Sequence, residues 1–239
     1  MRSALQEYRE RLIVALDVPN LSAAQRLVQQ IGDAASFYKV GLQLFTAEGP
    51  GIVRELVASG RRVFLDLKLH DIPNTVAKAV KSATELKVNM LTLHAAGGEA
   101  MVKAAVEAAS HRLSLVAVTV LTSLTDEDLR EIGFSGGTLD QALRMASLAR
   151  SCGCDGVVAS PREVAALRKL LGEGFRIVVP GVRPQGSEIN DQQRIATPAQ
   201  AISAGASHLV VGRPITQAGD PAKAANAILE EMAGSEVSI

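Results

Sequence analysis

The sequence predicts a single α/β domain over residues 1–239, a (β/α)8 TIM barrel with its active site at the C-terminal ends of the strands. Three observations carry that expectation. The chain has 239 residues, close to the roughly 250 of an eightfold barrel. Eight short apolar, β-branched runs recur along it, separated by stretches with apolar residues at helical spacing; that alternation makes a parallel sheet covered by helices. No Ser-rich or Gly-rich linker, long charge block or low-complexity segment interrupts it, so no domain boundary is expected inside the chain.

The first run, 12–18, carries Ile13, Val14 and Leu16 ahead of Asp17, and the second, 37–41, sets Lys39 between Tyr38 and Val40. The third, 62–69, places Asp66 and Lys68 among Val63, Phe64, Leu65 and Leu67. A crossover helix follows, because Val76, Ala79, Val80, Ala83 and Leu86 recur every three or four residues and form one apolar stripe. The fourth run, 90–95, leads through Thr92 to His94, and the fifth, 114–122, ends on Thr122. Beyond it lies the least regular part, 123–140: Thr125 and Asp128 have capping-box spacing for one short helix, and Gly136-Gly137 then breaks the pattern. The sixth, seventh and eighth runs, 156–160, 176–182 and 208–213, complete the set, with a last helix over 220–233. Segments 123–140 and 183–191 both leave the side of the barrel where such enzymes keep active-site loops, and both are expected to act as lids.

Charge and composition narrow the partner. Lys plus Arg number 25 against 25 Asp plus Glu, and there are five Phe, two Tyr and no Trp. A nucleic-acid binder needs a basic face for phosphates and rings to stack bases, so a small molecule is the expected ligand. The first apolar run is far too short for a signal or membrane segment, so no membrane partner and a cytoplasmic location are expected. Cys152 and Cys154 stand two apart with no second Cys or His cluster nearby, which supports neither a metal site nor a disulfide.

In a barrel the informative polar residues lie at the C-terminal ends of the strands. Here these are Asp17, Lys39, Asp66, Lys68 with Asp71 just after, His94 and Thr122. Asp66 and Lys68 are two apart, so an unbroken strand projects both from one face. Burying either charge alone is expensive, but two Lys and two Asp stay near neutrality and set an ammonium beside a carboxylate, ready to deliver a proton. An ion-pair network serving register alone remains open. So does a turn or cap role for Asp17, a core role for His94 and a backbone-satisfied hydroxyl for Thr122. The seventh and eighth runs lead into Gly181-Val182-Arg183 and Gly212-Arg213. Loops at those two places often hold phosphate in barrel enzymes, so a phosphorylated substrate is expected.

The stretch from Asp66 to Thr75 resembles the D-x-K-x-x-D signature of the orotidine 5′-phosphate decarboxylase family. The likeness extends through Ala15-Leu16-Asp17, Tyr38-Lys39-Val40-Gly41, Thr92-Leu93-His94-Ala95, Val120-Leu121-Thr122-Ser123, Val179 to Pro184 and Leu209 to Ile215. It implies a cofactor-free decarboxylation of orotidine 5′-monophosphate to uridine 5′-monophosphate and carbon dioxide, in pyrimidine biosynthesis. By the same resemblance Lys68 donates the proton, Asp66 faces the departing carboxylate, and Lys39 and Asp71 complete a charge network. Asp17 and Lys39 hold the ribose hydroxyls, Thr122 meets the pyrimidine edge, and Arg183, Gln192, Gly212 and Arg213 hold the phosphate. Asp71 and Thr75 reach into the neighbouring subunit's site, which implies a homodimer.

Three rivals share parts of the pattern. Magnesium-dependent sugar-phosphate decarboxylases and related synthases bind metal through an acidic residue on the second strand, where this chain has Lys39, a poor ligand for a hard cation. A Schiff-base aldolase would use Lys68 or Lys39 as nucleophile. A silent phosphate-sensing barrel would bind a nucleotide and turn nothing over.

Overall fold

The computed structural model of the chain describes residues 2–184 and 196–234. Eight parallel strands close a barrel in sequence order: β1 (Leu12–Ala15), β2 (Phe37–Gly41), β3 (Arg62–Leu69), β4 (Met90–His94), β5 (Ser114–Val118), β6 (Gly156–Val158), β7 (Arg176–Val179) and β8 (His208–Val211), with β8 pairing back onto β1. Around them lie α1 (Arg2–Arg11), α2 (Leu21–Ile31), α3 (Leu42–Glu48), α4 (Gly51–Ala58), α5 (Pro73–Glu85) and α6 (Gly98–Ala109). The ring continues with α7 (Asp126–Glu131), α8 (Thr138–Ser151), α9 (Val164–Leu171), α10 (Pro198–Ser203), α11 (Arg213–Thr216) and α12 (Pro221–Gly234). No described helix is long and apolar enough to cross a membrane.

Strand alternation sorts the side chains into two cores. Val14, Val40, Leu65, Leu91 and Ala117 point outward and pack with the apolar stripes of the helices, while Ile13, Phe37, Phe64, Met90, Val116, Val178 and Val210 fill the barrel interior. Interior positions recur every second residue. Two residues before Phe64, Val178 and Val210 stand Arg62, Arg176 and His208, at the floor; two after Phe37, Phe64 and Met90 stand Lys39, Asp66 and Thr92, toward the mouth. The barrel therefore has a cationic floor, an apolar middle and an ionic mouth.

All eight expected strands form, but six end early: β1 stops at Ala15, β4 at His94, β5 at Val118, β6 at Val158, β7 at Val179 and β8 at Val211. The ladder ends where the chain tips over the rim, so Asp17, Thr122 and Arg183 sit on loops beyond the strands and Arg213 opens α11. The short helix expected after β5 is α7, whose Thr125–Asp128 capping box is complete in both directions. Most of the expected lid 183–191, from residue 185 on, lies outside the described residues, as do Gln192 and the Glu188-Ile189-Asn190 stretch.

At β3 the expected alternation fails. Leu65 pairs with Leu91 and Leu69 with Leu93, so Asp66, Leu67 and Lys68 together face the single residue Thr92. Lys68 takes a left-handed backbone conformation, with φ at 49°, which is unusual for a side chain other than glycine or asparagine. Asp66 and Lys68 meet because the strand bulges, a device known to redirect side chains near active sites, and not because they share a face of a regular strand.

Candidate active site

At the mouth of the barrel the charges form an alternating row. Lys39 Nζ lies 2.9 Å from Asp17 Oδ1 and 3.6 Å from Asp66 Oδ2, and Lys68 Nζ lies 2.9 and 3.0 Å from the two oxygens of Asp66. Exposure grades along the row: the side chains of Lys39 and Asp66 are 10% and 13% exposed, Lys68 32% and Asp17 58%. The inner pair is thus held where solvent screens it weakly; Lys39 touches two carboxylates, and Asp66 touches two ammonium groups and a hydroxyl. That hydroxyl is Thr92, which donates to Asp66 Oδ1 at 3.0 Å. Asp17 does not cap α2; Asn20 does, accepting from the Ala23 amide, which leaves Asp17 to its pairing with Lys39.

A cavity of about 460 Å³ opens above this row. Asp17, Lys39, Asp66 and Lys68 line it together with Gly181, Arg183, Gly212, Arg213 and half-buried Thr122, and Gly212 lies close to the row, a Cβ there standing 3.9 Å from Asp17 Oδ2. Arg183 is buried, its amide bonded to the Ala196 carbonyl and its guanidinium to the Val182 carbonyl. The cavity therefore combines a charge-alternating row with two arginines and two glycines from the segments after β7 and β8, and has room for a ligand of nucleotide size.

Asp71 and Thr75 are not part of it. Both are exposed, and the Asp71 carboxylate accepts from the neighbouring Ile72 amide at 2.6 Å. Within one chain, the expectation that Asp71 supplies a second carboxylate to the cluster is not met. His94 does not line the cavity either. Its ring stacks on His70 at 5.3 Å and its Nδ1 accepts from the Ala96 amide. Burial first, then the charges of His70 and Lys68, push it below the ordinary histidine range. Cys152 and Cys154 are free and buried, and burial raises the Cys154 thiol to about 12, which makes it unreactive.

Comparison with known proteins decides the family. The family model described as Orotidine 5′-phosphate decarboxylase / HUMPS matches residues 10–228. The chain belongs to that family. A relative named orotidine 5′-phosphate decarboxylase from Moorella thermoacetica is 52% identical over 233 residues, covering 94% of this chain and 92% of the relative. One of the same name from Halorhodospira halophila is 52% identical over 228 residues, covering 94% and 97%. The crystal structure of orotidine 5′-phosphate decarboxylase from Lactobacillus acidophilus superposes with a TM-score of 0.84 at 40% identity, over 92% of this chain and 98% of that one.

Two residues of this family member's site carry no charge and went unassigned as site residues in the sequence. Gly41 lies beside the Lys39–Asp17 pair: a Cβ there would stand 2.7 Å from Lys39 Nζ and 3.2 Å from Asp17 Oδ1. Thr92 reads in sequence as one more buried β-branched residue of a strand. Only the register of β3 against β4 reveals its place.

Proposed function

We propose that the protein is an orotidine 5′-phosphate decarboxylase, which converts orotidine 5′-monophosphate to uridine 5′-monophosphate and carbon dioxide in pyrimidine biosynthesis and uses no cofactor. Family membership and close relatives of that name support the reaction. The observation that carries the mechanism is the row Asp17–Lys39–Asp66–Lys68 in a cavity that Arg183 and Arg213 also line.

In this reading the phosphate binds to Arg213, the Gly212 backbone, Arg183 and Gln192, and the ribose hydroxyls bind to Asp17 and Lys39. Thr122 meets the pyrimidine edge. The base then lies over Asp66 and Lys68. The bond from the ring carbon to the carboxylate breaks, carbon dioxide leaves without the electron pair, and the carbanion left behind takes a proton from Lys68 Nζ; water later restores that proton. An ammonium fixed by two carboxylate oxygens is already oriented when charge develops on the ring carbon, so it favours the transition state over the ground state. Binding at the remote phosphate end supplies the energy that seats the base against the charged row.

Asp71 and Thr75 act in a neighbouring subunit. Asp71 stands on the exposed turn from β3 into α5 and Thr75 in the first turn of α5, on either side of Ile72, which is 66% exposed, and neither lines the cavity of its own chain. A homodimer pairing these turns gives each site its missing carboxylate.

The test is loss of orotidine 5′-monophosphate absorbance on adding purified protein, with and without EDTA. Turnover indifferent to EDTA is expected. Turnover abolished by EDTA and restored by magnesium would sink the cofactor-free reading, and nucleotide binding without turnover would make the barrel a sensor rather than an enzyme.

A further inference from the structure

The bulge in β3 leaves a question of backbone chemistry. Three residues, Asp66, Leu67 and Lys68, stand opposite one, Thr92, so the regular ladder has no carbonyl for the Lys68 amide. That amide instead donates to Thr92 Oγ1 at 2.8 Å. The same hydroxyl donates its own hydrogen to Asp66 Oδ1 at 3.0 Å. Thr92 is fully buried, at 0% exposure, so no solvent replaces either contact. One hydroxyl therefore joins the main chain of Lys68 to the side chain of Asp66, and the Asp66 carboxylate in turn holds Lys68 Nζ with both oxygens. The result is a closed circuit: Lys68 amide, Thr92 hydroxyl, Asp66 carboxylate, Lys68 ammonium.

The circuit answers a physical need. A left-handed lysine persists only where its surroundings over-determine it, and a hydroxyl with its donor and acceptor both engaged does so from a rigid strand. β4 pairs with β5 along its whole length, Thr92 itself facing Val116, so the hydroxyl is fixed by regular sheet on the side away from the bulge. Rigid supporting contacts of this kind hold a reacting group within a fraction of an ångström of its working position.

We propose that Thr92 is a positioning residue for the decarboxylation, holding Asp66 and Lys68 in register with each other through its bridging hydroxyl. This rests on the function proposed above. Thr92 touches neither substrate nor the reacting carbon. It acts through the two residues that do.

Thr92→Val removes the hydroxyl and keeps the shape, and Thr92→Ser keeps the hydroxyl and loses the methyl. Wild type, both variants and uridine 5′-monophosphate affinity are measured on matched preparations. Because a displacement near 1 Å costs on the order of 100-fold in rate, kcat of Thr92→Val is expected to fall about 10- to 100-fold. Affinity for uridine 5′-monophosphate, set largely at the far phosphate end, is expected to change less than about threefold. Thr92→Ser should recover kcat to within about threefold of wild type. A merely structural threonine would lower the melting temperature without that split between kcat and affinity and without that rescue. Should Thr92→Val not fold, Thr92→Ala gives the same comparison. Thr92→Val turnover within about twofold of wild type, or equal losses in the valine and serine variants, overturns the inference alone. A wild type that fails to turn over orotidine 5′-monophosphate overturns the proposed function and the inference with it.

Discussion

Lys39 shows how much of a site depends on an atom that is missing. Its ammonium reaches Asp17 and Asp66 across the space above Gly41, and a methyl group at residue 41 would stand 2.7 Å from it. Gly41 has φ at −98°, a conformation open to alanine, so Gly41→Ala brings no backbone strain. The obstructing atom is the tip of a flexible side chain, which moves aside at little cost. Stability should change by less than about 1 kcal/mol, while the displaced Lys39 loses its pairing and kcat/KM falls about tenfold or more. Calorimetry beside steady-state kinetics checks both halves, and an unchanged kcat/KM would show that Lys39 can shift without consequence. Arg213, which lines the same cavity, is the complementary case. A hydrogen bond to a charged group contributes about 1.5–3 kcal/mol, so Arg213→Ala should raise the Michaelis constant by roughly 10- to 150-fold and leave the fold intact. A Michaelis constant near that of wild type would place the phosphate elsewhere.

At the scale of single elements, what the sequence made legible followed from periodicity. Eight apolar runs became eight strands because burial on both faces leaves an unbroken hydrophobic signature, and Thr125 with Asp128 announced α7 through local capping chemistry. The bulge in β3 was illegible for the same reason: register against β4 is a non-local property, and Asp66, Leu67 and Lys68 read alone as ordinary alternation. Strand ends were overread because apolar residues continue past the ladder, as Val120 and Val182 do, into buried positions over the rim. The floor of the barrel was missed because Arg62, Arg176 and His208 each look like the polar start of a strand. Together they crowd one histidine. His208 sits edge-on to Phe37, with Arg62, Arg176 and Arg11 near it; burial first and these cations next lower it to about 3 from its ordinary 6.5. The folded imidazole stays neutral while the unfolded chain takes up a proton below about pH 6.5, so stability drops as pH falls, at about 1.36 kcal/mol per unit, until the folded pKa is reached. Between pH 7.5 and 5.0 this group alone should remove about 2 kcal/mol. Urea unfolding at both pH values should show that much less acid loss in His208→Gln than in wild type; equal losses would mean that His208 does not carry the effect.

For the molecule as a whole, the decisive fact is that one ten-residue stretch faces two ways. Asp66 and Lys68 turn into their own cavity, whereas Asp71, Ile72 and Thr75 lie exposed outside it. In the proposed homodimer the exposed isoleucine between an aspartate and a proline at the entrance to α5 is the apolar contact expected at the two-fold interface. In the proposed dimer every site takes Lys68 from one chain and Asp71 from the other, so inactive chains are expected to repair each other. Lys68→Ala and Asp71→Ala are each expected to lose nearly all turnover as pure preparations. When they are mixed in equal amounts and allowed to exchange subunits, about half of the dimers are hybrids. In each hybrid one site holds both defects and the other holds neither. About one quarter of all sites should therefore regain wild-type turnover. A site built within one chain predicts the opposite, because no mixture then restores Lys68 and Asp71 to the same site. Ile72→Asp in both partners should abolish the recovery, since a buried unpaired carboxylate at the contact opposes association; recovery that survives it would move the interface away from this turn.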